Sequence, residues 1–413
     1  MRHWRPNRPG IDPGARIICE ELSLASDVVI GPGTVLVGDR IEIAEGTVIG
    51  PGCDLRASEV RIGPRSEFGS DVRVLVAERF SVGAAARVAR GASLTCRSFS
   101  AGNLLYFGDE ASVGYGGTTA SSAHVSIGSR VTIGQHSILN ANLPITIGNN
   151  VGTGSYLSIW THGYHFGHGP LDGFETAYAP VTIEDNVWLG FHITILPGVS
   201  VGRNSIVAAG AVVARSLPEN VLAAGVPAKV KKAIPARRLS SDAAVDAVTA
   251  VVDRWTEELR WKGHQASRVP DGGAWTSVLN APDGTVSEGM TVTVQSGCQP
   301  VPPTDGAAHR AVVFVDGLPD GFARDHTDIT YFDVRNGAMG GPRTRLSEDL
   351  RNELRRHAMP CGETHTFTSV EPEPFSRLSR VDGSGERLGG VLEVPEAADT
   401  ADDDVAPAGA TRH

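Results

Sequence analysis

Residues 183–213 read IEDNVWLGFHITILPGVSVGRNSIVAAGAVV. Aliphatic residues fall at every sixth place, at Ile183, Leu189, Ile195, Val201, Val207 and Val213. A period of six fits neither an amphipathic helix nor the two-residue alternation of a half-buried strand. It fits one flat side of a triangular coil, in which each hexamer is a short strand followed by a turn. The aliphatic residue points inward, and small residues such as Gly190 and Gly202 follow it where the chain must turn or pack closely. The same spacing returns at Ile43, Ile49 and Leu55, at Ile62, Phe68 and Val74, and at Ile127, Ile133 and Leu139. Three hexamers make a coil. Stacked coils pair each strand with the coils above and below, so backbone groups are satisfied without hairpins. The interior is expected to be narrow, with one small side chain per corner.

The chain has 413 residues, enough for two or three folding units with sizeable cores. Its net charge of -10 argues against nucleic acid or an anionic membrane surface as a partner, because both call for a basic face. Five cysteines, Cys19, Cys53, Cys96, Cys298 and Cys361, are odd in number and form no CxxC pair, which reads as reduced thiols in a cytoplasmic protein. The start, MRHWRPNRPG, leads into no apolar run of a signal peptide, and no stretch approaches the length of a membrane span. The 49 glycines against 6% aromatic residues suit a fold made of many tight turns.

The segment VWLGFHITILPGVSVGRNSIVAAGAVVARSLPENVLAAGVPAKV, residues 187–230, resembles the closing coils of the hexapeptide-repeat acyltransferases. It is similar in particular to the galactoside- and maltose-type sugar O-acetyltransferases, through PVTIEDNVWLG, ILPGVSVG, IVAAGAVV and GVPAK. The resemblance runs without a break from Pro180 to Lys229, and the looser repeat reaches back to about Ile11. It implies a left-handed parallel β-helix over 11–232, a homotrimer, and acyl transfer from acetyl-CoA.

Beyond Lys232 the repeat stops, and AIPARRLSS reads as a linker. A mainly β solenoid is therefore followed by a smaller α+β domain, placed at 240–380. Ser240 or Ser241 would cap an amphipathic helix with Val245, Val248, Val252, Trp255 and Leu259 on one face. TVTVQ, AVVFVDG and DITYFDV read as strands, and Leu346, Leu350 and Leu354 mark a second helix. His326, Asp328 and Asp333 are too loosely spaced to read as a metal site. Residues 384–413, with EAADTADDD, lack the apolar content to fold and read as a disordered tail.

The chemistry is sought where the six-residue spacing breaks, in SIWTHGYHFGHGPLDGFETAYAP. An insertion into a coil must bulge outward, and loops on a rigid scaffold are where ligands are met. Acyl transfer needs a base near neutral pH to take the acceptor's proton, and imidazole suits that task. In the sugar acetyltransferases the essential histidine stands five residues after a strand leucine; here His162 stands five after Leu157. His162 is the expected base and His165 its competitor. Gly163 replaces the family's proline or aspartate. A metal reading of HGYHFGH, after the carbonic anhydrases of the same solenoid, lacks their ligand spacing, so no metal is expected. The resemblance assigns the coenzyme A thioester to the backbones of Phe191 and Ala209, to Lys229 for a phosphate, and to Trp188 as a wall. Phe191 stands where small residues are usual. Asn140 and Asn142 would offer amides to a saccharide or other small-molecule acceptor, and His192 would face solvent or a subunit contact.

Overall fold

The structure, a computed structural model, describes residues 2–4, 9–114, 121–163, 167–235, 237–269, 274–280, 286–297 and 309–362. The expected tail at 384–413 lies outside them. Two compact units are present, Met1–Ala243 and Ala244–Cys361.

The first unit is a parallel β-helix with three sides, sheets of 11, 11 and 9 strands. In a representative coil the chain runs along the third side at Ile145–Ile147, the second side at Gly152–Thr153 and the first side at Ser158–Trp160 before returning to the third at Val181–Ile183. On the first side Leu36, Leu55, Val74, Leu94, Val113, Leu139, Ile159, Ile195 and Val213 are stacked in register. All are buried. The register explains why the six-residue spacing slips in the first half. Leu36, Leu55 and Val74 are 19 residues apart, whereas Ile195 and Val213 are 18 apart. The extra residue of the early coils is taken up at corners, so the inward column is kept while the sequence period is lost.

The interior is wider than expected. Phe68, Phe80, Phe99 and Phe107 are buried in it as one chain of ring contacts, with centroids 6.1, 5.7 and 6.3 Å apart. Ala86, Ala92, Ala101 and Ala111 are buried in the same core, so small side chains accompany the large ones in one closely packed volume.

Left-handed backbone makes two of the three corners. Between the third and second sides stand Asn150, Asn186, Asn204 and Asn220, with φ of 55, 57, 57 and 58°. Asparagine is among the few residues other than glycine that tolerate this region. Their side-chain amides form a ladder, each Nδ2 donating to the next Oδ1 at 3.1, 3.1 and 3.0 Å. On the outer face of the third side Glu21, Arg40, Glu59 and Arg79 follow one another rung by rung, with Glu42 and Arg61 beside them. Arg79 Nε donates to Glu59 Oε2 at 2.7 Å and holds that carboxyl below the usual carboxylate range.

Both ends of the solenoid are closed by antiparallel strands. Arg2–Trp4 pairs with Arg16–Cys19, a cap upstream of the expected start, and Lys229–Ala233 pairs with Val221–Ala224. The last strand is exposed throughout and carries Lys229, Lys231 and Lys232, charges that discourage addition of another strand.

The second unit is α+β. Its six-stranded sheet runs Gln265–Arg268, Ala274–Asn280, Val286–Gln295, His309–Phe314, Ile329–Asp333, Ala338–Gly340. The expected helices are found at Ser241–Trp261 and Arg345–Arg356. Val248, Val252, Trp255 and Leu259 of the first and Leu346, Leu350 and Leu354 of the second are buried, while Val245 is only partly so. Asp333 is buried and accepts the backbone N–H groups of Leu318, Arg335 and Asn336, and Asp328 pairs with Arg310. Among the described residues no helix is long and apolar enough to cross a membrane.

Candidate active site

The residues expected as base and acceptor contacts lie at the corner from the first side to the third. Two insertions leave from it. One joins Ser112–Val113 to His124–Ile127, and residues 115–120 within it lie outside the described part. The other joins Ser158–Trp160 to Val181–Ile183. It separates Ile159 from its neighbour Ile195 by 36 residues, against 20 between Leu139 and Ile159. The uninterrupted turn at Asn140–Pro144 belongs to the coil between these two insertions.

The second insertion is an arm. His162–Gly163 pairs antiparallel with Ala177–Tyr178, with His162 opposite Tyr178, and a single 3-10 turn follows at Pro170–Asp172. Leu171 there is wholly exposed. The His162 ring lies over that of Tyr178, centroids 5.9 Å apart and 21° from parallel, and meets the edge of Trp160 at 6.1 Å. His168 sits further out, its Nδ1 3.8 Å from Asp172 Oδ2. His165 lies outside the described residues.

The arm is fixed at its root by Thr161, which is fully buried. Its Oγ1 donates to the carbonyl of Asn140 at 2.9 Å and accepts the N–H groups of Asn142 and Leu143 at 2.8 and 3.1 Å. Its carbonyl accepts the N–H of Ala179 at 3.0 Å. One threonine therefore ties both strands of the arm to the asparagine turn. Thr161 and Tyr178 escaped the sequence reading. The place of Thr161, immediately before the histidine at the break in the repeat, was the signal available.

Asn140 is 1% exposed, and neither its Oδ1 nor the buried Oδ1 of Asn142 has a hydrogen-bond partner among the described residues. A buried amide oxygen left unpaired costs about 1–3 kcal/mol. The structure thus brings His162, Asn140 and Asn142 to one corner.

The residues expected for the thioester lie elsewhere, along the corner from the second side to the first. Phe191 and Ala209 occupy equivalent places on successive coils and are exposed. Their backbone N–H groups have no acceptor among the described residues, unlike the N–H of Gly190, which donates to Val207 at 2.8 Å. Lys229 follows on the capping strand, opposite Ala224. Trp188 is half exposed and its ring lies against Gly152 of the preceding coil, where no Cβ would fit. Free amide donors in a row, ending at a lysine, suit a ligand with amides along its length and phosphate at its end. The two groups of residues stand at opposite ends of the first side.

A parallel β-helix of hexapeptide coils with an imidazole arm is the class of protein these features define. Residues 180–215 match the family model described as bacterial transferase hexapeptide (six repeats). The resemblance to the hexapeptide-repeat acyltransferases is thereby shown, on the closing coils. The chain is 37% identical over 130 residues to the galactoside O-acetyltransferase of Escherichia coli, covering 30% of this chain and 64% of that one. It is 39% identical over 87 residues to the galactoside O-acetyltransferase of Lactococcus lactis, covering 17% and 42%. The chain thus spans less than two thirds of either relative. Among solved structures, a maltose O-acetyltransferase from Clostridium difficile is 26% identical, with 34% of this chain and 71% of that one covered and a TM-score of 0.24.

Proposed function

We propose that the chain is an acetyl-CoA-dependent O- or N-acetyltransferase of saccharide-type acceptors, acting in the cytoplasm by direct transfer with His162 as general base. The observation that carries this reading is the Thr161 clamp, which joins the root of the His162 arm to the turn that bears two buried, unpaired amide oxygens, at the corner from which both insertions leave. Histidine is suited to take a proton from a hydroxyl or amine as it attacks. Asn140 and Asn142 accept hydrogen bonds from the acceptor's other hydroxyls, which satisfies their oxygens and orients the acceptor. The free N–H groups of Phe191 and Ala209 pair with the amides of the donor's arm, Trp188 walls the groove, and Lys229 takes a phosphate. The acceptor atom bonds to the thioester carbonyl carbon, the C–S bond breaks, and coenzyme A leaves as a thiol that takes the proton His162 removed.

Base and donor groove lie at opposite ends of one side of the coil, which supports a homotrimer. A neighbouring copy sets its groove against the His162 corner and completes a site that one copy leaves open. The test is thiol release from acetyl-CoA across sugars and amino sugars, comparing wild type with His162→Ala. Release that needs an acceptor and falls by about 10²–10⁴ in the variant is the expected result. A wild type that binds no coenzyme A and releases no thiol would be a non-catalytic scaffold, and a variant at full rate would pass the role to His165.

A further inference from the structure

At the corner from the second side to the first, each coil from Gly33 to Gly210 places one residue in the left-handed region. Gly33, Gly52, Gly91 and Gly210 meet that demand without strain. Five other coils put Asp71, Glu110, His136, Tyr156 and His192 there, with φ of 58, 53, 55, 60 and 57°. A ring at such a position is unfavourable compared with glycine, and strain of this kind collects at ligand sites. Glu110, His136 and Tyr156 precede the first-side strands from which the first insertion, the uninterrupted turn and the second insertion leave.

The side chains of Glu110, His136, Tyr156 and His192 meet, with Phe191, in one patch. His136 stacks on Tyr156 at 5.1 Å and 25°. Phe191 presents its ring to Tyr156 at 5.6 Å, and His192 lies 6.3 Å from Tyr156. Glu110 Oε2 is 3.3 Å from His136 Nδ1. Tyr156 is 44% exposed and Phe191 55%, so aromatic surface reaches solvent at this corner, as it does at half-exposed Trp188.

We propose that Tyr156, flanked by His136 and Phe191, is a stacking platform for a pyranose ring of the acceptor, with Glu110 and His192 at its edge for the hydroxyls. A sugar ring has an apolar C–H face bordered by hydroxyls. The platform has ring faces bordered by a carboxylate and imidazoles, which accept and donate hydrogen bonds. This rests on the saccharide acceptor proposed above. It assigns specificity to residues a full side of the coil away from the same copy's His162, and so to the open groove that a neighbouring copy would face.

Calorimetric titration of the full chain with maltose, methyl galactoside and glucosamine, without acetyl-CoA, tests it. At least one saccharide is expected to bind the wild type. Tyr156→Phe should keep that affinity, and Tyr156→Ser should lose about tenfold, in line with the loss of one stacked ring. Phe191→Ser gives a second reading should Tyr156→Ser fold poorly. No binding by the wild type, or equal binding by both serine variants, overturns the platform. A wild type that binds saccharide but transfers no acetyl group keeps the platform and sinks the transferase reading. Acetyl transfer with an unchanged acceptor KM in the serine variants does the reverse. Unchanged saccharide binding with a changed sedimentation coefficient would make the patch a contact between copies instead.

Discussion

The rings of His162 and Tyr178 face each other across the two strands of the arm, 21° from parallel with centroids 5.9 Å apart. The phenol fixes the plane of the imidazole, which backbone pairing alone would leave free to turn. Contacts between rings are worth about 0.5–1.5 kcal/mol. Tyr178→Ala should therefore lower kcat for acetyl transfer up to about tenfold, with little change in the KM for acetyl-CoA. Tyr178→Phe should keep the wild-type rate. Steady-state thiol release decides this, and an unaltered alanine variant would remove Tyr178 from the site.

Thr161→Val has nearly the same shape but leaves the N–H groups of Asn142 and Leu143 and the carbonyl of Asn140 without their shared partner. Each buried group so orphaned costs about 1–3 kcal/mol. The arm should loosen, seen as faster amide exchange at residues 161–163 and 177–179 together with a fall in kcat. Thr161→Ser should restore both, because it keeps the hydroxyl.

Along the asparagine ladder, Asn186 donates one side-chain hydrogen bond and accepts another at a φ of 57°. Asn186→Ala loses both bonds and adds left-handed strain, for a destabilisation of roughly 2–4 kcal/mol. Asn186→Gly loses the bonds but not the permissive backbone and should cost about half as much. Urea unfolding followed by far-ultraviolet circular dichroism would order the three proteins. An alanine variant as stable as the glycine one would contradict the strain argument.

In the second unit, burial pushes the His309 imidazole below its ordinary value of 6.5, with Arg310 adding to the shift while Glu288 and Asp328 oppose it. Its Nε2 and the Thr330 hydroxyl are 2.7 Å apart. The fold favours the neutral ring, so the unfolded chain takes up the proton first as pH falls. The contribution of His309 is complete above pH 6.5 and is lost progressively below it. The protection of amides in His309–Phe314, taken relative to their intrinsic exchange rate at each pH, should fall between pH 7 and pH 5.5 in the wild type, and less so in His309→Gln.

Thiol chemistry offers a check on packing. Burial raises the Cys53 thiol to about 11 and those of Cys96 and Cys361 to about 12, and Cys19 is also raised. Little thiolate exists at pH 8, and no more than one of the five cysteines should react promptly with an aromatic disulfide in the native protein. All five should react in guanidinium. Two or more fast thiols under native conditions would mean that one of these cores opens.

Much of this fold could be read from the sequence because a six-residue period has few physical solutions. Where coils lengthen to 19 or 20 residues, as from Leu36 to Leu94, the inward column persists in space but not in spacing, and the sequence pattern fades. His162 was visible as a titratable residue at a break in the repeat. The part played by Tyr178 was not, because its partner stands sixteen residues earlier and only the antiparallel pairing of the arm brings them together. The surface ladder of Glu110, His136, Tyr156 and His192 was hidden for a similar reason, since its members are spread over more than eighty residues and meet through left-handed turns that spacing does not reveal.

The alternation of Glu21, Arg40, Glu59 and Arg79 along the third side has an evolutionary corollary. A solenoid lengthens by duplicating a coil, and its apolar column accepts one more copy without complaint. In this stretch a single duplicated coil would set glutamate on glutamate or arginine on arginine, and like charges directly opposite one another on adjacent strands are destabilising. Two coils copied together preserve the alternation. The unit of growth here is the pair, and descendants of this chain should differ in this region by about 38 residues more readily than by 19.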